Sequence, residues 1–208
     1  MDIQAILADP LVQEIIEALS SWKNKYLDFR LDRYDCEEIL ENIKNPCYYR
    51  LDSGASRIVI SHPNWDFVIK IDHAEYENFG ACKRELHAFQ EAKKIGIEDF
   101  LLPIAELIDI GLPNGSLYVQ QRAEYLWNNR PLQLCQKIDM AVDSLPADIR
   151  FDKMSLVLVA YLVKYFGEEF VRKVLAWSES CGVNDLHGKN CGFVGEAPKL
   201  LDYAGFWE

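Results

Sequence analysis

A chain of 208 residues, half of them hydrophobic and 26% charged, has the composition of a folded globular protein and enough apolar side chains for one generous domain or two small lobes. Its formal charge of −11 and sequence pI near 4.9 exclude general attraction to phosphate backbones or anionic membranes, so neither direct nucleic-acid binding nor membrane association is expected. Charge is spread among aromatic and apolar periodic segments rather than massed, which argues against an acidic mimic of DNA.

The first elements read as helices. "PLVQEIIEALSS" (10–21) sets Leu11, Ile15, Ile16 and Leu19 on one face, with Pro10 acceptable in a first turn. "YDCEEILENIKN" (34–45) offers Asp35 as a cap and Ile39 and Ile43 four residues apart. From Cys47 the period changes to that of strands: "CYYRLD", "RIVISH" and "FVIKID" are short β-branched and aromatic runs separated by "SGAS" and "PNW" turns. "NFGACKRELHAFQEAKKIG" (78–96) then repeats Phe79, Cys82, Leu86, Phe89 and Ala92 at helical spacing, with Gly96 as its stop. "LLPIAELIDIG" and "SLYVQQR" follow as a strand pair joined by "LPNG".

Beyond Arg122 the spacing becomes helical in "LCQKIDMAVDSL", "MSLVLVAYLVKYF" and "EEFVRKVLAWSESCG", before a hairpin of "CGFV" and "KLLDY" turning through "GEAP". The fold class expected is α+β. The six cysteines form no C-x-x-C pair and have no histidine at metal-ligand spacing, so reduced structural thiols are expected. The start "MDIQAILADP" has neither a basic leader nor a long apolar run, and a cytoplasmic location is expected.

Three short motifs fall at informative points in this order. "VIK" (68–70) lies in the third strand, "DLHGKN" (185–190) lies in the loop before the final hairpin, and "LLDYAGF" (200–206) ends an apolar strand. A five-stranded lobe with one inserted helix, then a helical lobe carrying those motifs, resembles the protein-kinase fold, and short bacteriophage-encoded serine/threonine kinases in particular. "DLHGKN" is also similar to the loop of aminoglycoside and choline kinases, and "SGASRIVISHPNWDFVIKI" resembles the strand-loop-strand stretch of the phage enzymes. The resemblance implies a two-lobed fold: an N-terminal helical extension (1–46), an N-lobe (47–122), and a truncated, mainly helical C-lobe (123–208).

It also implies ATP and Mg²⁺ as cofactors. Lys70 becomes the ligand of the α- and β-phosphates, with Glu85 fixing its long stem ahead of Glu75, Glu77 and Glu91. Asp185 becomes the residue that accepts the proton of a Ser or Thr hydroxyl, while Asn190, five residues on, and Asp202 become the magnesium ligands. His187 stands where serine/threonine kinases carry lysine, and either bonds the γ-phosphate or braces the loop. Gly54 and Ser56, in a stretch with one glycine instead of three, are phosphate-loop candidates that a plain hairpin turn explains equally well. Gln121 and Ala123, in "VQQRAEYL", take the place of adenine contacts.

The sequence departs from the family at several points. Val183 and Asn184 replace the usual His and Arg, so activation by loop phosphorylation is not expected. Gly205 follows Asp202 by three residues instead of two, and six residues follow Asp202 where full kinases continue into an activation segment. The expected activity is transfer of the γ-phosphoryl to a host protein. The alternatives are a pseudokinase that occupies a host regulator and a phosphotransferase for small molecules.

Overall fold

The computed structural model describes residues 2–25, 34, 38, 40–43, 49–53, 57–72, 80–109, 116–125, 156–184, 186, 190–195 and 197–203. Over these the chain is a mixed α+β fold, and its backbone divides into two compact units: Met1–Leu86 with Ile104–Arg122, and His87–Pro103 with Ala123–Glu208. Among the described residues no helix is long and apolar enough to cross a membrane.

The first unit is built on a five-stranded antiparallel sheet of β1 (Tyr49–Ser53), β2 (Arg57–Ser61), β3 (Phe67–Asp72), β4 (Ile104–Asp109) and β5 (Ser116–Gln121), in the order β1-β2-β3-β5-β4. Register fixes which side chains share a face, because successive residues of a strand point to opposite sides. Pairing Ile58 with Ile71, Ile60 with Ile69, Ile69 with Val119 and Ile71 with Leu117 gathers the apolar residues on one side. Pairing Arg57 with Asp72, Val59 with Lys70 and Lys70 with Tyr118 gathers the polar ones on the other. All six residues of β3 are buried, so this central strand is covered on both faces.

The apolar face is covered by the N-terminal helices α1 (Ile3–Leu7) and α2 (Pro10–Lys25). Ile6, Leu11, Val12, Ile15 and Leu19 join Ile58, Ile60, Phe67, Ile69, Ile71, Leu117 and Val119 in one core, to which Leu40 and Ile43 also belong. The spacing of Leu11, Ile15 and Leu19 thus marks the inner face, while Ile16 is half-buried. Asp9 sets the entry of α2: its Oδ1 accepts the backbone N–H groups of Leu11 (2.9 Å) and Val12 (3.2 Å), and its Oδ2 accepts the indole N–H of Trp65 (3.0 Å). Trp65 is buried and stacks on Phe67. Asp35 and Ile39 lie outside the described residues.

A third helix, α3 (Ala81–Ile95), begins in the first unit and continues in the second. Cys82, Phe89 and Ala92 are buried as their spacing predicts, and Leu86 is half-buried. In the second unit α4 (Leu156–Phe166) and α5 (Glu168–Ser180) pack together, and β6 (Glu124–Tyr125), β7 (Cys191–Val194) and β8 (Ala197–Leu200) form a second antiparallel sheet in that order. Trp177 of α5 is buried and donates its indole N–H to the Ala88 carbonyl of α3 at 2.8 Å.

The final hairpin differs from the "GEAP" turn expected of it. β8 starts at Ala197, paired with Val194, and Pro198 sits opposite Phe193 within the strand. β8 is an edge, where a proline lacking its N–H forfeits no ladder bond, and Gly195 directly after β7 takes φ +60°. β6 is a second departure: a two-residue strand in "VQQRAEYL", separated from β5 by Arg122 and Ala123.

Candidate functional site

The polar face of the first sheet holds a cluster of buried ionic groups. Lys70 projects from β3 with the residue 6% exposed, and Glu85, on the second turn of α3, is fully buried. Lys70 Nζ lies 3.4 Å from Glu85 Oε1. Glu85 Oε2 accepts from both Arg57 NH1 and Tyr118 Oη, and Arg57 NH1 is itself 3.2 Å from that hydroxyl. The Lys70 ammonium also stands 5.6 Å from the centre of the Tyr118 ring, within cation–π range. Charges this deep require partners, since an unpaired buried ion loses its hydration with nothing to replace it.

Asp72, two residues after Lys70 and on the same face, fixes where α3 begins. Its carboxylate oxygens lie 3.0 and 3.1 Å from the Cys82 backbone N–H, one of the orphan donors in the first helical turn. Burial pushes the Asp72 carboxyl up to about 6, against the opposing pull of the Cys82 hydrogen bonds and the Arg57 charge. The carboxylate thus joins strand to helix one turn ahead of Glu85.

Of the other carboxylates weighed as partners of Lys70, Glu91 pairs at 2.6 Å with Lys94 on the exposed side of α3, which leaves it outside the cluster. Glu75 and Glu77 lie outside the described residues. Arg57, Tyr118 and Asp72 are the participants that sequence reasoning missed. The available signal was the strand alternation itself, which puts Arg57, Lys70, Asp72 and Tyr118 on one face once the register is known.

The second unit contains the remaining positions. Helix α5 ends in a reversal at Gly182, φ +66°, with Val183 N–H bonded to the Ser178 carbonyl at 2.8 Å. Val183 and Leu186 are buried, so the segment leading into "DLHGKN" is anchored by apolar side chains. Asn190 directly precedes β7 and Asp202 follows β8 by one residue. Leu201 N–H donates to the Asn190 carbonyl at 2.7 Å, which holds the two segments side by side at the open end of the hairpin. That end is fixed from below: Leu102 N–H bonds the Leu200 carbonyl at 2.9 Å, and the buried Tyr203 hydroxyl donates to the Leu102 carbonyl at 2.8 Å.

The structure therefore brings Lys70 and Glu85 together within one unit, and the backbones at Asn190 and Asp202 together within the other. Gln121 ends β5 and Ala123 precedes β6, both half-buried. Asp185, His187, Gly54 and Ser56 lie outside the described residues. An amide and a carboxylate on adjacent segments are oxygen donors of the type a hard cation takes, and Mg²⁺ completes its shell with phosphate and water oxygens instead of a closed protein cage. Among the described residues no group of three or more His, Cys, Asp or Glu side chains has metal-binding geometry.

The Cys82 thiol lies 3.9 Å from the Lys70 carbonyl and the Cys181 thiol 3.8 Å from the Ser180 hydroxyl. Cys82 and Cys191 are fully buried, which drives the first well above the usual thiol range and the second up to about 12; Cys181 is raised less. Raised in this way, these thiols favour the protonated form near neutral pH. No protein-family model matches the sequence, and no curated protein matches it.

Proposed function

We propose that the chain is a two-lobed, kinase-like phosphotransferase that uses ATP and Mg²⁺ to phosphorylate Ser or Thr hydroxyls of a host protein. One observation carries the reading: a buried lysine on the third strand of a five-stranded antiparallel sheet, ion-paired to a buried glutamate on the helix that follows that strand. Protein kinases hold the α- and β-phosphates of ATP with a lysine on the third strand, paired to a helical glutamate, because a rigidly placed cation offsets phosphate charge at no reorganisation cost during reaction.

In this reading Asp185 orients the acceptor hydroxyl and takes its proton. The hydroxyl oxygen forms the new bond to the γ-phosphorus as the bond from that phosphorus to the β-bridging oxygen breaks, and ADP leaves with the electron pair. Asn190 and Asp202 would hold Mg²⁺, which would offset charge on the phosphate oxygens. In the same reading Gln121 and Ala123 would supply main-chain contacts to adenine, and Gly54 and Ser56 would serve the phosphates.

Mg-ATP at about 100 times its dissociation constant stabilises a protein by about 2.7 kcal/mol, so the expected result is a raised melting temperature in the wild type and little change in Lys70→Met. Incubation with γ-labelled ATP and cell extract then reads the acceptor, with label expected in protein. No thermal shift at millimolar Mg-ATP overturns nucleotide binding. A shift without label transfer replaces the kinase with a pseudokinase, and label confined to small metabolites replaces the protein substrate with a small molecule.

A further inference from the structure

Among the described residues Arg57, Lys70 and Tyr118 converge on the Glu85 carboxylate, but they do not share it equally. Oε2 takes Arg57 and Tyr118 together, whereas Lys70 faces Oε1 at 3.4 Å, longer than the roughly 2.7–2.9 Å of a strong charge-assisted bond. Arg57 is itself only 4% exposed and stands opposite Asp72 in the strand register, so it is built into the sheet and not recruited from solvent. Its planar guanidinium suits the task, since NH1 bonds the carboxylate and the tyrosine hydroxyl simultaneously.

This arrangement changes what it costs Lys70 to engage a ligand. Were Lys70 the sole cation on Glu85, turning its ammonium toward an anion would strand a fully buried carboxylate. With Arg57 and Tyr118 remaining on Oε2, Glu85 stays neutralised wherever the ammonium points. We propose that Arg57 is the positioning residue of the lysine site, the resident counter-ion of Glu85 that allows Lys70 to transfer its charge to the phosphates of a nucleoside triphosphate. The ligand half of this inference rests on the phosphate reading of Lys70; the counter-ion half does not.

The test compares wild type, Lys70→Met, Arg57→Met and Arg57→Met/Glu85→Gln, first by thermal melting without ligand and then by titration calorimetry with Mg-ATP and with adenosine alone. Without ligand, Arg57→Met is expected to melt roughly 5–10 °C below wild type, because a buried pair is broken, and Lys70→Met within about 3 °C of it. Glu85→Gln added to Arg57→Met removes the stranded charge and recovers most of the loss. With ligand, Arg57→Met is expected to weaken Mg-ATP at least about tenfold while adenosine changes less than about twofold, since Glu85 then retains Lys70.

A purely structural role would weaken both ligands alike. Equal melting losses in Lys70→Met and Arg57→Met, or no recovery in the double variant, overturn the counter-ion assignment. If Arg57→Met does not fold, the double variant must fold, and its failure to do so refutes the proposal. A wild type that binds no Mg-ATP removes the phosphate reading alone, and the melting order still decides whether Arg57 is the partner of Glu85.

Discussion

Asp9 joins the start of α2 to the β2–β3 turn through one carboxylate, which makes it a sensitive probe of whether the N-terminal helices belong to the core of the sheet. Asp9→Ala removes the cap of α2, worth about 1 kcal/mol, and the acceptor of the Trp65 indole, worth about 1 kcal/mol more. The expected loss is therefore about 2 kcal/mol, or roughly 4–8 °C in melting temperature for a chain of this size. Trp65→Phe removes the donor while keeping an aromatic ring over Phe67. Urea denaturation of the two single variants and the double variant forms a thermodynamic cycle, in which any loss of packing at position 65 is common to both legs. A coupling of about 1 kcal/mol is expected, because once either partner is gone the other has no bond left to lose. Fully additive effects, with coupling below about 0.3 kcal/mol, would refute the placement of α2 against the β2–β3 turn.

Two further outcomes follow from the polar face and the proposed chemistry. Because Asp72 is raised from 3.8 to about 6 by burial, the folded state holds its proton more tightly than the unfolded chain. Its contribution is thus fully present below pH 4 and lost as pH rises through 6, an amount on the order of 2–3 kcal/mol. Asp72→Asn keeps an oxygen for the Cys82 N–H without that charge, so the variant should gain stability relative to wild type between pH 4 and 7 in chemical denaturation; a difference that does not change with pH contradicts the buried, titrating carboxyl. Asp185→Ala is expected to lower label transfer at least about a hundredfold with Mg-ATP affinity changed less than about threefold, since proton acceptance and hydroxyl orientation act in the transition state, and parallel losses in single-turnover and binding assays contradict that role.

Much of the first unit was legible because strand alternation and helical spacing are periodic signals that need no knowledge of partners. Ile58, Ile60, Ile69 and Ile71 declare an inner face by themselves, as do Leu11, Ile15 and Leu19. Lys70 and Glu85 were legible as a pair through their order along the chain. Arg57 was not, because an arginine after a turn and before "IVI" reads as an ordinary polar strand position; its partners lie 28 and 61 residues away. The Asp9–Trp65 bond was hidden for the same reason, at a separation of 56 residues. Pro198 misled by carrying a turn signal into an edge strand, where the usual penalty on proline vanishes. Local rules identified elements and faces, whereas the buried polar links depend on pairings that no local rule contains.

The double attachment of α3 to β3 has a mechanical consequence. Sliding the first turns of that helix along the sheet would unbond Cys82 from Asp72, leave two buried carboxylates short of donors, and break the contacts of Arg57, Lys70 and Tyr118 to Glu85 in one movement. Such penalties arrive together instead of one after another, so intermediate positions are uphill from the start. The strand and the opening of the helix are therefore expected to travel as a single piece, with displacement of one along the other opposed by buried charge.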